Sequence, residues 1–300
     1  MVHLILTGAT GLVGSSVLSH ILSLPPTSKP AIDKLSILTR STSIPWLSAT
    51  PPPGTPTTNK HTKIEVIEHR DFGAPYPPQL LERLKGADAC IWALGVSQND
   101  VSRDEYVTIT RDYAVEAAKA FSGLRGGVAA SSLSSSLDPS SSFADADANK
   151  SKFKFIYVSG EGATLHPRPW TPIFGRVKGE TERALLELSK TAEYSPLLSV
   201  YSVRPAAVDG ANQPWIWDHV LNTKRTAFQR FYLKGVMCPI RWGWAGQGMH
   251  SPTEGLGRVL VGMAVSEQRG AFEVGVGVDA EGEGRTLGNS RLRMLERGQW

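Results

Sequence analysis

A single heptapeptide, Gly8-Ala9-Thr10-Gly11-Leu12-Val13-Gly14, carries the most specific chemistry in the chain. It follows an apolar run from Val2 to Thr7 and opens a segment, Leu12 to Leu24, whose apolar residues recur at helical spacing. A strand, a tight turn and a helix in that order make a cradle for a diphosphate. One glycine lets the chain turn where a Cβ would be forbidden, one admits a phosphate close to the main chain, and one lets the helix pack on the strand. The first helical turn then offers unpaired N–H groups and about half a positive charge. Gly8, Thr10, Gly11, Leu12, Val13 and Gly14 are the expected contacts. No lysine follows Gly14, which excludes a P-loop.

The next apolar run ends Ile37-Leu38-Thr39-Arg40-Ser41. Dinucleotide sites ordinarily carry a carboxylate at this point to bind the adenosine ribose. Here a guanidinium suits a 2′-phosphate, which points to NADP(H) over NAD. The plainer alternative is that Arg40 only solvates a strand end.

Other chemistries fail on spacing. Tyr157-Val158-Ser159-Gly160-Glu161-Gly162 lacks the glycine two residues before the serine that a hydrolase elbow needs. The seven histidines form no HxxxH or HExxH pattern, and Cys90 and Cys238 stand far apart, so no metal site, disulfide framework or oxidising compartment is expected. Glu180, Glu182 and Glu187, with Lys178, Arg183 and Lys190, read as a solvated, salt-bridged helix face.

The elements that must hold the turn follow from apolar patterning. Strands are expected at Val2–Thr7, Lys34–Thr39, Ile64–His69, Ala87–Leu94, Phe153–Ser159 and Leu197–Val203. Helices are expected at Leu12–Leu24, Gln79–Lys85, Arg103–Phe121, Pro172–Lys190, Trp215–Lys234 and Thr253–Val265. Their alternation predicts an α/β fold with a doubly wound parallel sheet, a Rossmann domain over residues 1–210 and a helical, aromatic substrate-side region over 211–300. Residues 44–60, dense in Pro, Ser and Thr, and 122–152, dense in Ser, Gly and Ala, read as mobile peripheral loops without catalytic residues.

After Arg204 the aromatics crowd: Trp215, Trp217, Phe228, Phe231, Tyr232, Trp242 and Trp244. Three readings stand beside one another: a pocket wall, an aromatic mini-core, and a membrane-surface helix carrying Lys224, Arg225, Arg230 and Lys234.

Composition bounds the rest. With 300 residues, 41% hydrophobic, and a formal charge of only +4 spread along the chain, the expectation is a globular protein without a nucleic-acid stripe. No apolar run is long enough to span a bilayer, and the N-terminus reads as a buried strand and not a secretion signal. The expected compartment is the cytoplasm, with peripheral attachment to an organelle left open, and the expected partner is a small molecule.

These residues resemble the atypical and extended short-chain dehydrogenase/reductases, especially the epimerase-like members opening with TGATGxxG. The resemblance rests on Thr7 to Gly14, Asp71-Phe72, Ala87 to Gly95, Tyr157-Val158-Ser159, Val177-Lys178-Gly179-Glu180 and Arg204 to Val208, and spans most of residues 1–265. It implies a nicotinamide cofactor, with Asp71 and Phe72 near adenine, Ala93, Leu94, Gly95 and Val96 along the ribose and diphosphate, and Pro205, Ala206 and Ala207 near the nicotinamide. It also implies a serine that polarises a carbonyl, a tyrosine that passes the proton, and a lysine four residues later. Ser159 and Lys178 match, but the tyrosine position is Phe174, and none of the seven tyrosines has a lysine four places on.

Two expectations follow. In one, the chain is an NADP(H)-dependent oxidoreductase on a small, fairly apolar carbonyl or enone compound, with His166 as substitute acid because imidazole titrates near neutrality. In the other it is redox-silent, a lyase, isomerase, cyclase or cofactor sensor.

Overall fold

Leu4, Ile5 and Leu6 are apolar without alternation because their strand is covered on both faces, and all three are fully buried. The protein's architecture was obtained as a computed structural model and is described for residues 2–125, 152–224 and 249–300.

In chain order the elements are β1 (Val2–Thr7), α1 (Leu12–Ser23), β2 (Ile32–Thr39), β3 (Lys63–Glu68), α2 (Pro78–Leu84), β4 (Ala89–Trp92), α3 (Arg103–Val107), α4 (Tyr113–Phe121), β5 (Phe153–Val158), α5 (Ile173–Leu188), β6 (Leu198–Arg204), β7 (Ala207–Asp209), α6 (Pro214–Lys224), β8 (His250–Pro252), α7 (Thr253–Val265), β9 (Thr286–Gly288) and α8 (Asn289–Glu296). The sheet is seven-stranded and parallel, in the order β3-β2-β1-β4-β5-β6-β9. Strand order reverses at β1, which lies between β2 and β4, so a crevice opens beyond the carboxyl ends of β1 and β4.

Strand parity sorts the core into two layers. Leu4, Leu6, Ile91 and Ile156 face α1, α7 and α8, whereas Ile5, Cys90, Trp92, Phe155 and Tyr157 face α2, α4 and α5. Each fully buried aliphatic side chain contributes about 1.5–3 kcal/mol, and this burial, more than helix propensity, fixes the layers.

The six expected strands and six expected helices appear, with shifted ends and two qualifications. The run from Arg103 to Phe121 is interrupted by a π-helical stretch at Thr108–Asp112, and the helix expected to reach Lys234 is described only to Lys224. The expected loop 122–152 lies mostly outside the described residues, as do Phe228, Phe231, Tyr232, Trp242 and Trp244.

The 44–60 stretch holds more than its composition implied. A 3₁₀ turn at Pro45–Leu47 drives Trp46 into the core, 3% exposed, where its ring meets Trp215 of α6 edge-on at 4.7 Å. Trp217, also on α6, is buried against Leu221 with Leu12 and Ala207 beside it. For Trp215 and Trp217, therefore, the mini-core reading describes the packing. Glu182 corrects another expectation. It is 1% exposed at its side chain and bound to Arg204 at 2.6 Å, so it is buried within the helix face that read as solvated.

Among the described residues, no helix is long and apolar enough to cross a membrane.

Candidate functional site

The turn after β1 has the geometry its glycines call for. Gly8 has φ +69°, and a Cβ there would lie 2.2 Å from Ala93 O; a Cβ on Gly14 would lie 2.1 Å from Gly8 O. Gly11 differs. Its Cβ would meet only Gly8 O, at 3.3 Å, leaving its other side open. The turn is closed by Gly11 N donating to Gly8 O at 2.8 Å and clamped by Ala9 O, which accepts from Ser15 Oγ at 3.0 Å and from Trp46 Nε1 at 3.1 Å.

Beyond this turn lies a cleft of about 500 Å³, walled by the ends of β4, β5 and β6 and by α3 and α5. It gathers residues remote in sequence. Gly11, Leu12 and Val13 come from the turn, Ala93, Leu94 and Gly95 from the end of β4, and Ser159, Lys178, Pro205 and Ala206 from the far wall. Leu94 N donates to Thr7 Oγ1 at 3.2 Å, which ties the two strand ends together. Gly8 and Gly14 shape the turn without lining the cleft, Thr10 sits half-buried within it, and Ala207 starts β7 just past the lining Ala206.

Ser159 follows β5 directly. Its N donates to Val203 O at 2.8 Å, which fixes the backbone, while its hydroxyl is buried with no hydrogen-bond partner among the described residues. Lys178 reaches across from α5 and donates to Ser159 O at 2.6 Å. Burial lowers the Lys178 ammonium to about 8, with Glu182 opposing that shift. Phe174, one turn earlier on α5, lines the same cleft, and its N donates to Gln98 Oε1 at 3.0 Å.

Several expected residues lie outside the cleft lining. His166 is exposed, pairs with Glu281 at 3.3 Å and is not among the residues that line the cleft. Phe72 is fully buried, with its ring edge-on to Trp92 at 5.8 Å. Asp71 is exposed and turns its carboxylate onto Gly73 N and Ala74 N, each at 3.1 Å. Arg40 is exposed at the end of β2, outside the cleft lining.

The cleft also includes Tyr106 and Thr110, which pattern reading passed over, and Tyr157 and Glu161, which stand in the Tyr157 to Gly162 run already quoted. Thr110 sits on the π-helical stretch, a distortion that often marks functional sites. Tyr157 was detectable by parity, since residues two apart on a strand share a face and Ser159 was already singled out.

Comparison with known proteins agrees with this architecture. No protein-family profile matches the chain. Among solved structures it is similar to the KRED1-Pglu enzyme, with a TM-score of 0.54 and 15% identity over 96% of this chain and 100% of the other. It is similar to L-sorbose reductase of Gluconobacter frateurii in complex with NADPH and L-sorbose, with a TM-score of 0.55 and 11% identity over 89% and 90%. DesIV, a dTDP-glucose 4,6-dehydratase of Streptomyces venezuelae with NAD and TYD bound, gives 0.51 and 13% over 89% and 73%. These structural similarities show a shared fold, a Rossmann-like α/β fold.

In sequence, the chain is 35% identical over 147 residues to the botcinic acid biosynthesis cluster B protein 16 of Botryotinia fuckeliana, covering 47% of this chain and 84% of that protein. It belongs to the same family as that protein. The leucinostatins biosynthesis cluster protein T of Purpureocillium lilacinum is 28% identical across 97% of this chain and 94% of its own length.

Proposed function

We propose that the chain is an NADP(H)-dependent oxidoreductase acting on a small, fairly apolar carbonyl or enone compound, in the formation of a secondary metabolite. One observation carries this reading: the buried, unpartnered hydroxyl of Ser159 shares a cleft with Lys178 and with the open side of Gly11.

The residues fit a dinucleotide. Gly11 leaves room against the helix N-terminus for a diphosphate, and the amides opening α1 supply donors for it. Arg40, at the strand end, is the group that would meet a 2′-phosphate. Lys178 would hold the nicotinamide ribose from the far wall, and Pro205 and Ala206 would flank the nicotinamide. When bound, that ring supplies or accepts hydride.

The chain's own part is orientation and polarisation. Ser159 Oγ, desolvated and otherwise unpaired, would donate to a substrate oxygen, an interaction stronger in a water-poor cleft than in solution. The Lys178–Ser159 bond holds the serine backbone so that this hydroxyl needs little reorganisation. The secondary-metabolite context rests on the named relatives alone.

Phe174 supports a second reading, in which the cofactor is bound but not consumed: a benzyl side chain holds no proton to give. The experiment is a calorimetric titration with NADPH and NADH, followed by absorbance at the reduced-nicotinamide band with a panel of ketones and enones. Tight NADPH binding with bleaching supports the oxidoreductase, and binding without bleaching supports the silent reading. Absence of binding to either nucleotide overturns both.

A further inference from the structure

Lys178 lines the cleft, and two sets of distances place its head group. Its Nζ donates to Ser159 O at 2.6 Å, so the ammonium stands within one residue's breadth of the Ser159 side chain. Gly160, also in the lining, leaves room next to it. Chain neighbours aside, a Cβ on Gly160 would meet Lys178 Nζ first, at 3.5 Å, then Lys178 Cδ and Pro205 O, each at 3.9 Å. Space for a heavy atom therefore remains beside the ammonium, and no atom of Phe174 comes nearer to that point than these.

An ammonium with room beside it can do more than hold charge. It has three N–H donors, of which Ser159 O takes one. Burial brings Lys178 down to about 8, while Glu182, on the same helix and bound in turn by Arg204 of β6, opposes that shift. A group that titrates close to the working pH is the most effective general acid. The other titratable groups of the lining are less suited. Burial raises the phenols of Tyr106 on α3 and Tyr157 on β5 above their ordinary range, away from neutrality. The exposed carboxylate of Glu161, after β5, accepts from Asn289 N of α8 at 3.4 Å.

We infer that Lys178 is the proton donor of this site, taking on the step for which Phe174 has no group. The inference rests on the oxidoreductase reading above. In a ketone reduction the carbonyl carbon gains hydride from the reduced nicotinamide, which is thereby oxidised. The C=O π bond breaks, and its electron pair takes a proton from the Lys178 ammonium, leaving an alcohol and a neutral amine. The amine regains a proton from solvent. In the reverse direction the amine takes the alcohol's proton while the oxidised nicotinamide accepts the hydride.

The test follows both directions of one reaction across pH, with the full chain and saturating nucleotide. The substrates are the ketone that bleaches NADPH fastest in the panel, acetophenone being its first member, and the matching alcohol. Reduction needs the ammonium, so its kcat should fall about tenfold per pH unit above the Lys178 titration. Oxidation by NADP⁺ needs the amine, so its kcat should rise about as steeply as pH climbs toward that titration and level off above it. A lysine that only held the ribose would leave both profiles flat or tilt them the same way. Lys178→Arg keeps the cation but releases no proton near neutrality. Its NADPH affinity, by calorimetry, is expected to stay within about tenfold, while both rates fall about 100-fold or more and both slopes vanish.

The wild-type slopes decide the matter even where Lys178→Arg fails to fold. Slopes of the same sign in the two directions, or Lys178→Arg rates within about threefold of wild type, overturn the role of Lys178 and leave the oxidoreductase reading intact. Bleaching by enones alone does the same. Opposed slopes that persist in Lys178→Arg and vanish in Tyr106→Phe assign the proton to Tyr106 instead. NADPH binding without bleaching by any ketone or enone overturns the inference and the oxidoreductase reading together.

Discussion

Lys178 Nζ lies 2.6 Å from the carbonyl oxygen of Ser159, joining α5 to the end of β5 across the floor of the cleft. The bond uses one of the three donors of an ammonium and leaves the others for a ligand. It also places the Lys178 ammonium on the cleft wall, where a nucleotide's polar groups would meet it, and this sets a pH dependence.

Burial brings the Lys178 ammonium down to about 8 from 10.5. The charge is therefore present below pH 8 and is lost as pH rises through that value. NADPH affinity is expected to be flat from pH 6.5 to 7.5 and about tenfold weaker by pH 9 if only the charged form binds well. In Lys178→Met it should be weak and flat over the same range. Calorimetry across pH checks both, and an equally steep profile in Lys178→Met would remove the lysine from nucleotide binding.

Gly11 and Gly14 should separate binding from stability. A methyl on Gly11 meets only Gly8 O, at 3.3 Å, and otherwise enters the cleft, so Gly11→Ala should keep its melting temperature within a few degrees while losing nucleotide affinity. A methyl on Gly14 would lie 2.1 Å from the same oxygen. Gly14→Ala should therefore cost about 1–3 kcal/mol of stability, read by denaturant unfolding.

Arg40→Ala addresses cofactor choice. If the guanidinium meets a 2′-phosphate, its removal should weaken NADPH binding about tenfold or more and leave NADH binding nearly unchanged, as one lost charge-assisted contact predicts. Equal losses for the two nucleotides would return Arg40 to the role of a solvated strand end.

Glu182→Ala should unfold more easily by about 3 kcal/mol, since it strands the half-buried guanidinium of Arg204 with Asp279, at 3.1 Å, as its remaining carboxylate. Thermal melts of the two chains measure the difference. A loss below about 1 kcal/mol would mean that Asp279 suffices.

What was legible in the sequence was whatever repeated or ran long. Leu4-Ile5-Leu6 followed by Gly8 to Gly14 announced a strand, turn and helix because burial on both faces and a crowded turn leave few residue types free. β7, β8 and β9 were not legible, since three residues hold no period to detect. Trp46 was hidden by its proline- and serine-rich surroundings, because composition averages over the one residue that packs. At the site, Ser159 and Lys178 were reached through the resemblance to the short-chain dehydrogenase/reductases. Where His166 would sit was not legible, because titration range says nothing of direction, and the chain carries that side chain to the surface beside Glu281.

The pairing of β9 with β6 has a consequence for how the molecule is made. Until Thr286–Gly288 leave the ribosome, Ser202, Val203 and Arg204 present an open strand edge, directly before Pro205 and Ala206 of the cleft. Closure of that edge waits on a contact spanning more than eighty residues of sequence, a slow kind of event during synthesis. A nascent chain stalled before position 286 would hold most of the dinucleotide cradle and still expose a β-edge to its neighbours, so protection from aggregation comes later than the glycine turn.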